Sequence, residues 1–398
     1  MNRQRIGHLI SVTRRATTWA LLRLLPARAH CVVHGWPDTE GNAVEMVRAL
    51  RRRYRGRIYW LLEDVDYPGP GFAEAELADP RIVRLAKNSP AALLTALTAE
   101  LTVYTHGLYT AVGAPANRLV VNLWHGDGPK ALKEATLVRS HVLVCGSPFW
   151  SEYKRRSFGV PATGLALVGN PRVDQLFEPL PDPAAELLGL TPGRPRVLWL
   201  PTFRDAGGPR RSWADGERLA DSAEVSEVAL ALAQAGAQYG VELVVKPHPL
   251  DLDDYTRLGL TVLRDDQLGA AGVSLYQLIG SCDALISDIS SVWVDFLALD
   301  RPVGFFMPDL PELERRGGLH HQGFADVVPG PRVDTPDDAR TFIKTIALDA
   351  AALRPSQQSR VERLAVPGLS VGTADRLVDW LADYQQMRSR PRLFSDHA

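Results

Sequence analysis

Short apolar runs recur along the chain from about residue 42, and stretches with helical spacing of their apolar residues separate them. Runs of this length, each ending at polar or turn residues, are typical of buried strands. They comprise residues 58–62, 101–105, 119–124, 141–145, 197–201, 241–245, 284–287 and 303–306. Buried strands that alternate with helices form βα units on a parallel sheet. The sequence therefore predicts an α/β fold.

A proline- and glycine-rich stretch at residues 177–195 interrupts this alternation. Such a composition is typical of a boundary between domains, and 398 residues suffice for about two of them. We therefore predict an N-terminal lobe at residues 30–190 and a C-terminal lobe at residues 191–365. Residues 366–398 contain a last helical stretch with an apolar face, which we expect to pack back across the lobes.

Two serine–proline pairs mark predicted helix starts. Ser89 and Ser147 each precede a proline, which suits the first position of a helix. A serine just before that position commonly accepts a hydrogen bond from the first helical turn, so we expect both hydroxyls to cap.

The first 37 residues contain six arginines and no acidic residue. Apolar residues at helical spacing lie among them, so residues 1–29 are predicted to form a basic amphipathic helix on an anionic membrane surface. A solvated arm and a secretory signal are the alternatives, and Arg23 counts against the signal because it interrupts the apolar run. No run approaches the roughly 18 uncharged apolar residues of a spanning helix. We expect a peripheral protein on the cytoplasmic face of the cell membrane.

The net charge and the cysteines limit which partners and cofactors can be expected. The net charge of -1 balances 45 basic against 46 acidic residues, so no nucleic-acid partner is predicted. Cys31, Cys145 and Cys282 are far apart and odd in number, which argues against a disulfide framework and a clustered metal site. We predict a reducing compartment and neither a metal nor another cofactor.

The stretch NLWHGDGPK places polar residues where a predicted strand ends, the edge at which open parallel sheets bind ligands. His125 is suited to accept a proton near neutral pH, and glycines around it allow close backbone approach to a ligand. A hydrogen-bonded structural histidine is the alternative. The candidate residues of this stretch are Trp124, His125, Gly126, Asp127 and Lys130.

Four later stretches, GNPRVD, PTFRD, VVKPHP and LISDISS, also follow predicted strands. Their candidate residues are Asn170, Arg172, Arg204, Lys246, His248, Ser287, Asp288, Ser290 and Ser291. Cationic side chains and a helix start with free amides suit the paired phosphates of a nucleotide. Taken singly, a tight turn, a surface ion pair and a plain helix cap are the alternatives. Together they predict a nucleotide diphosphate donor on the C-terminal lobe, with His125 facing an acceptor hydroxyl across a cleft.

In order and spacing these motifs resemble the CDP-glycerol glycerophosphotransferase family, the teichoic-acid primases and polymerases. The resemblance runs from about Cys31 to Ile346 and adds the late stretch MPDLPELERRGG. It implies a GT-B fold, in which two Rossmann-like lobes with parallel sheets face a cleft. It also implies a CDP-glycerol or other CDP-alditol donor and a lipid-linked or polymeric acceptor in cell wall polymer synthesis.

The resemblance implies roles for individual residues. His125 would activate the acceptor hydroxyl, and His248 would be a second essential histidine near the donor phosphates. Ser290 and Ser291 would hold the diphosphate. Asp309 and Arg316 match a motif near the donor site. The hydroxyl would attack the distal phosphorus, and CMP would leave.

Two departures separate the chain from the family's pattern. Asp127 stands where the family usually has threonine, and Ile289 stands where it usually has an aromatic residue. The carboxylate of Asp127 is predicted to orient His125, raise its basicity or alter the acceptor. Two other functions remain: a GT-B glycosyltransferase that uses a nucleotide sugar, and a catalytically silent lobe pair that scaffolds a membrane assembly.

Overall fold

A computed structural model of the chain describes residues 3–39, 41–66, 69, 78–113, 115–131, 140–201, 222–247, 255–321, 323–357, 361–366, 369–387 and 394. The chain forms two compact units. Unit 1 contains Met1–Gly126, Lys133–Asp174 and Val371–Ala398, and unit 2 contains Asp127–Leu132 and Gln175–Ser370. The chain therefore passes from unit 1 to unit 2 directly after the Trp-His-Gly sequence.

Strands and helices alternate along the described chain. The strands are β1 Arg28–His34, β2 Arg57–Leu62, β3 Ile82–Ala86, β4 Ala99–Tyr104, β5 Leu119–Asn122, β6 Val142–Cys145, β7 Leu165–Leu167, β8 Arg196–Trp199, β9 Glu242–Val245, β10 Thr261–Val262, β11 Ala284–Ser287 and β12 Val303–Phe305. The helices are α1 Arg3–Leu24, α2 Gly41–Arg53, α3 Pro90–Thr98, α4 Pro148–Phe158, α5 Asp182–Leu187, α6 Ser222–Tyr239, α7 Asp265–Ala270, α8 Leu275–Gly280, α9 Val292–Phe296, α10 Leu310–Arg315, α11 Pro336–Asp349, α12 Val361–Leu364 and α13 Thr373–Met387. Short 3-10 turns lie between several of them.

Unit 1 is built on a seven-stranded sheet with the order β3-β2-β1-β4-β5-β6-β7, and its strand pairs are parallel. The order reverses between β1 and β4, which brings the carboxyl ends of β1, β4 and β5 side by side. Ligands of open α/β sheets bind outside such a reversal. A ligand site in unit 1 is therefore expected at the loops after these three strands.

The core of unit 1 lies between this sheet and helices α2 and α13. The apolar face of α13 contributes Leu377 and Leu381, which are fully buried, and Tyr384, which is 5% exposed. Each buried leucine contributes roughly 1.5–3 kcal/mol relative to an exposed one. Helix α13, which comes from the far end of the sequence, is thus part of the core of unit 1.

Unit 2 is built on a five-stranded parallel sheet with the order β10-β9-β8-β11-β12. Helices α6 and α11 pack together on it, and Leu232 and Ile343 are fully buried in its core. Each sheet follows the order 3-2-1-4-5 over its first five strands, which is typical of doubly wound folds. The predicted parallel-sheet α/β fold is confirmed, and β1, β3, β7 and β10 add to the eight predicted strands.

Helix α1 carries most of the predicted basic amphipathic segment. Its carboxyl-terminal turn contacts the unit, because Leu22 is 2% exposed and α1 lies against α3. The guanidinium of Arg118 donates to the carbonyl of Leu25 at 2.7 Å and fixes the end of the helix. Among the described helices, none is both long enough and apolar enough to cross a bilayer.

The two serine–proline pairs behave differently. The Ser89 hydroxyl accepts from the backbone N–H of Ala92 at 3.1 Å, so the first predicted cap is confirmed. Ser147 precedes α4 in extended conformation, but its hydroxyl makes no capping hydrogen bond. That part of the prediction is wrong because the Ser147 hydroxyl is buried and has no partner among the described residues.

Candidate active site

The loop after β5 holds the Trp-His-Gly sequence in an unusual backbone conformation. Trp124 has a φ of +55°, a left-handed value that costs a residue with a Cβ roughly 1–2 kcal/mol. Two asparagines stabilise it. Asn122 Oδ1 accepts from the Trp124 N–H at 2.9 Å, and Asn42 Nδ2 donates to the Trp124 carbonyl at 3.3 Å. Gly126 follows with a φ of +123°, which favours glycine, so the chain turns sharply on both sides of His125.

This turn ends the predicted strand at residues 119–124 early, since β5 stops at Asn122. His125 is exposed, and its ring stacks on the Trp124 indole with centroids 3.9 Å apart. The Phe158 ring packs against the Trp124 indole in a T-shaped arrangement, with ring centroids 4.7 Å apart. The imidazole is thus both accessible and held by packing, as a general base must be.

The GNPRVD turn packs beside this loop in unit 1. Asn42, the second residue of α2, is fully buried, and its Oδ1 accepts from the Arg172 N–H at 3.0 Å. One asparagine side chain therefore joins the turn to Trp124. Asn170 and Arg172, both predicted to bind substrate, are 0% and 7% exposed. Their predicted binding roles remain predictions.

Asp174, in the same turn, makes structural hydrogen bonds to the start of α13. Asp174 Oδ1 accepts from the Thr373 N–H at 2.7 Å, and Oδ2 accepts from the Ala374 N–H at 3.0 Å. These are the first amides of α13, so Asp174 caps a helix that is distant in sequence. Burial raises the pKa of Asp174, and the two amides oppose that rise.

The segment that follows His125 belongs to unit 2 and pairs there with the end of the Asp309-to-Arg316 motif. The Ala131 N–H donates to the Gly318 carbonyl at 2.9 Å, and the His320 N–H donates to the Pro129 carbonyl at 2.7 Å. Lys130 and Leu319 form an antiparallel bridge between these two bonds. The structure thus brings together two sequence motifs that lie almost two hundred residues apart.

The same segment lies against the predicted phosphate-binding serines. A Cβ placed on Gly128 would lie 3.3 Å from the Cα of Ser291, closer than ordinary van der Waals contact. Asp127, next to it, is 1% exposed, whereas Lys130 is exposed. Within unit 2, the segment at residues 127–131 therefore contacts both the serine stretch and the end of the MPDLPELERRGG stretch. The predicted effect of Asp127 on His125 remains a prediction.

The serine stretch after β11 forms a compact turn. Asp288 Oδ1 accepts from the Ser290 N–H at 2.9 Å, and Ser287 is 1% exposed. The Ser287 hydroxyl has no hydrogen-bond partner among the described residues. Ser291 precedes α9 without capping it, and α9 has five residues before a 3-10 turn. So short a helix has a smaller dipole than a long one. Phosphate binding by Ser290 and Ser291 remains a prediction.

Three further candidates are placed in unit 2. Lys246 follows β9, is 8% exposed, and its Nζ lies 2.8 Å from Asp265 Oδ1. Asp309 is 6% exposed at the start of α10, and its carbonyl accepts from the amides of the first turn. Arg316, at the end of α10, pairs with Glu312. Arg204 and His248 lie outside the described residues.

Sequence reasoning missed two residues of unit 1 that contact the motif loops, Asn42 and His106, and it missed Trp36, whose ring packs near that of His106. His106 follows β4 as Trp124 follows β5, so strand-end placement was a signal for it. No comparable signal marked Asn42. The described residues contain no group of three or more histidine, cysteine or acidic residues that could hold a metal.

Comparisons with known proteins agree with the family resemblance that these motifs indicate. The family described as CDP-Glycerol:Poly(glycerophosphate) glycerophosphotransferase matches residues 23–366. Two curated relatives come from Bacillus subtilis (strain 168). A teichoic acid poly(glycerol phosphate) polymerase is 26% identical over 264 residues, 61% of this chain and 33% of the relative. A teichoic acid glycerol-phosphate primase is 24% identical over 188 residues, 47% of this chain and 45% of the relative. The matches thus span less than half of each relative's length.

Solved structures share the fold. The wall teichoic acid polymerase TagF has a TM-score of 0.67 at 17% identity, over 98% of each chain. A putative UDP-N-acetylglucosamine 2-epimerase from Listeria monocytogenes has a TM-score of 0.53 at 12% identity, over 93% of this chain and 99% of that chain. These likenesses confirm the predicted GT-B type of fold. With the match over most of its length, the chain belongs to the CDP-glycerol:poly(glycerophosphate) glycerophosphotransferase family.

Proposed function

We propose that the chain transfers glycerol phosphate from CDP-glycerol to a hydroxyl of a membrane-linked acceptor and releases CMP, in teichoic-acid-like cell wall polymer synthesis. One observation carries the proposal. The exposed His125 is followed, after a single glycine, by the segment that packs beside Ser291 in unit 2. Family membership supports the donor, and a TagF structure soaked with CDPG gives the same support.

The proposed reaction is one phosphoryl displacement. His125 accepts the proton of the acceptor hydroxyl while the oxygen attacks the phosphorus that bears glycerol. A phosphodiester forms, the P–O bond to CMP breaks, and CMP leaves with the electron pair. Positively charged groups must counter the charge that grows on the leaving phosphate. Lys246 is the described group for this task, with Arg204 and His248 as the remaining candidates, and the hydroxyls of Ser290 and Ser291 donate to the diphosphate.

The first test measures CMP release from CDP-glycerol in the presence of a lipid-linked acceptor. Loss of a general base lowers rates by about 10²- to 10⁴-fold, so His125→Ala should lose turnover and keep its affinity for CDP. Added imidazole should restore part of the rate, because the lost group is a proton acceptor at an exposed position. His125→Ala with full turnover would remove His125 from the reaction.

The same assay separates the two other functions. A nucleotide-sugar glycosyltransferase would release UDP from a UDP-sugar and leave CDP-glycerol untouched. A scaffold would bind a partner and release nothing from any donor. Only CMP release from CDP-glycerol or a related CDP-alditol agrees with the proposal.

We further propose that this acceptor is reached from an anionic membrane surface, through helices α1 and α3. Helix α3, PAALLTALT, contains no charged residue, and its Leu93 and Leu94 are 47% and 53% exposed. Helix α1 lies against it and exposes Arg14, Arg15 and the indole of Trp19. Exposed leucines beside arginines match the apolar interior and anionic headgroups of a bilayer edge.

Liposome sedimentation tests this surface. Leu93→Glu with Leu94→Glu should lower binding to phosphatidylserine-containing vesicles at least about tenfold, because the apolar contact is replaced by charge. Arg14→Gln with Arg15→Gln should lower it by about 2 kcal/mol at low salt. Leu348→Glu is the matched control, since Leu348 is 69% exposed on α11 in unit 2. Equal binding of all variants would refute the proposed surface.

A further inference from the structure

The segment after the PGP sequence of unit 2 pairs with β12 and extends the sheet by a short stretch. The Phe305 N–H donates to the Pro331 carbonyl at 2.9 Å, and the Val333 N–H donates to the Phe305 carbonyl at 2.8 Å. Arg332 thus lies opposite Phe305 in parallel pairing. Because side chains alternate along an extended segment, Arg332 and Asp334 lie on the same face of it, beside the end of β12.

These two side chains hold both polar backbone groups of Met307. Asp334 Oδ1 accepts from the Met307 N–H at 2.6 Å, and the Arg332 guanidinium donates to the Met307 carbonyl at 2.5 Å. Arg332 and Asp334 also form an ion pair with each other. Met307 is fully buried, so its backbone groups need partners inside the protein. We call Arg332 and Asp334 the Met307 clamp.

The clamp lies where the chain passes from β12 to α10. Asp309, which was predicted to bind the donor, follows Met307 by two positions and directly precedes α10. The Met307 carbonyl also accepts from the Leu310 N–H at 3.2 Å, which places the first turn of the helix. The clamp therefore fixes both the loop that carries Asp309 and the start of α10.

Helix α10 connects the clamp to the segment at residues 127–131. Beyond the carboxyl end of the helix, Gly318 and His320 pair with this segment, which lies against Ser291. The helix has six residues. A helix of this length is about 9 Å long, so a tilt of about 10° at its start moves its far end by about 1.5 Å. A change at the clamp should therefore reach two parts of the predicted donor site.

We infer that the Met307 clamp positions the binding site for CDP-glycerol, and that Arg332 and Asp334 are positioning residues of the transfer. This inference rests on the proposed function, because it concerns the donor of that reaction. A partly exposed ion pair contributes little net stability, so stability alone does not account for the arrangement. Two directional bonds to one buried residue do fix the position of its backbone.

Calorimetric titration with CDP-glycerol tests the inference. Asp334→Ala should raise the Kd for CDP-glycerol about tenfold, because binding must then also restore the position of the loop. Asp334→Asn, whose side-chain oxygen can still accept from the Met307 N–H, should raise it less. Arg332→Met should raise it about threefold, because the Met307 carbonyl loses one donor. The Arg332 side chain is 34% exposed, so this second variant tests the clamp even if Asp334→Ala does not fold.

Thr335→Ala is the matched control in the same segment. The Thr335 hydroxyl caps α11 by accepting from the Asp338 N–H at 3.2 Å, and it takes no part in the clamp. Its loss should lower the melting temperature by about 2–4 °C and leave the Kd for CDP-glycerol unchanged. An equal rise of the Kd in Thr335→Ala and Asp334→Ala would overturn the inference, and so would a wild-type Kd in both clamp variants.

Hydrogen–deuterium exchange keeps the inference apart from the proposed function. In Asp334→Ala, the amides of Ala131 and His320 should exchange at least about tenfold faster, because the pairing that protects them follows α10. In Thr335→Ala they should exchange as in the wild type. If the wild type binds no CDP-glycerol, the proposed function fails, while these exchange rates still decide whether the clamp positions the paired segments. Wild-type exchange in Asp334→Ala would overturn the inference.

Discussion

Asn42 is expected to control the position of His125 without touching it. Its side chain donates to the Trp124 carbonyl at 3.3 Å and accepts from the Arg172 N–H at 3.0 Å. Asn42→Ala removes both bonds at once. Because Trp124 holds a left-handed φ of +55°, the loss of one of its two restraints should let the loop relax. His125, the next residue, should move with it.

The magnitude follows from burial. Asn42 is fully buried and Arg172 is 7% exposed, so the Arg172 N–H would lose its partner away from water, at about 1–3 kcal/mol. The half-buried Trp124 carbonyl should add about 1 kcal/mol. We expect Asn42→Ala to lower the free energy of unfolding by about 2–4 kcal/mol. A misplacement of about 1 Å in a catalytic group costs about 10²-fold in rate, which is the loss expected for kcat.

Two assays are needed, urea unfolding and CMP release at a temperature where all variants are folded. Leu50→Ala is the matched control, because Leu50 is a fully buried core residue of the same helix, α2. That change should cost about 2–5 kcal/mol of stability and leave kcat near wild type. Asn42→Asp, which keeps the acceptor for Arg172, should fall between wild type and Asn42→Ala in stability.

The control variant distinguishes a positioning role of Asn42 from general destabilisation. If Asn42→Ala and Leu50→Ala lower kcat equally, the effect is general destabilisation and Asn42 does not position the loop. A wild-type kcat in Asn42→Ala would also contradict the positioning role of Asn42, since His125 would then tolerate the loss of the restraint.

Three further predictions concern unit 2 and stability. Gly128→Ala should raise the KM for CDP-glycerol severalfold with little loss of stability, because its Cβ would lie 3.3 Å from the Cα of Ser291; an unchanged KM would separate this contact from donor binding. Lys246→Met should raise the same KM about tenfold or more, whereas Asp265→Asn, which removes only the ion-pair partner at 2.8 Å, should change it less than about twofold. Burial lowers the pKa of the His34 imidazole in the folded chain to about 3, whereas its pKa in the unfolded chain is 6.5. Between these two pH values only the unfolded chain takes up the proton, so the free energy of unfolding falls as the pH falls. Thermal unfolding should show about 2 kcal/mol lost from this group between pH 7 and pH 5, and His34→Gln should reduce that loss; identical profiles would contradict it.

The fold was predictable from the sequence because its strands are buried on both faces. Val121 and Val144, for example, are fully buried, and such strands read as continuous apolar runs. Short edge strands such as β10, with two residues, carry too little of this pattern. The two serine–proline pairs show the limit for local signals. Both are identical dipeptides, and only tertiary packing makes the Ser89 hydroxyl a cap and buries that of Ser147.

The candidate site was predictable as a set of strand ends, because the loops that follow parallel strands lie at one edge of the sheet. The contacts that join the motifs were not. Asn42 reaches Trp124 across 82 positions, and the pairing of Pro129 with His320 spans more than twice that distance in sequence. A single sequence contains no signal for such pairs. The contacts of the His106 ring with Trp36 and Trp124 were not predicted, because they depend on the order of the strands, in which β4 lies between β1 and β5.

The most direct test of the proposed transfer is a product analysis. The wild type would be incubated with CDP-glycerol and a lipid-linked acceptor, and the lipid product would be examined by ³¹P NMR and mass spectrometry. We expect one phosphodiester to form on the acceptor for each CMP released, and neither to form with His125→Ala. A product joined by a glycosidic bond, or release of CDP in place of CMP, would contradict the proposed attack on phosphorus.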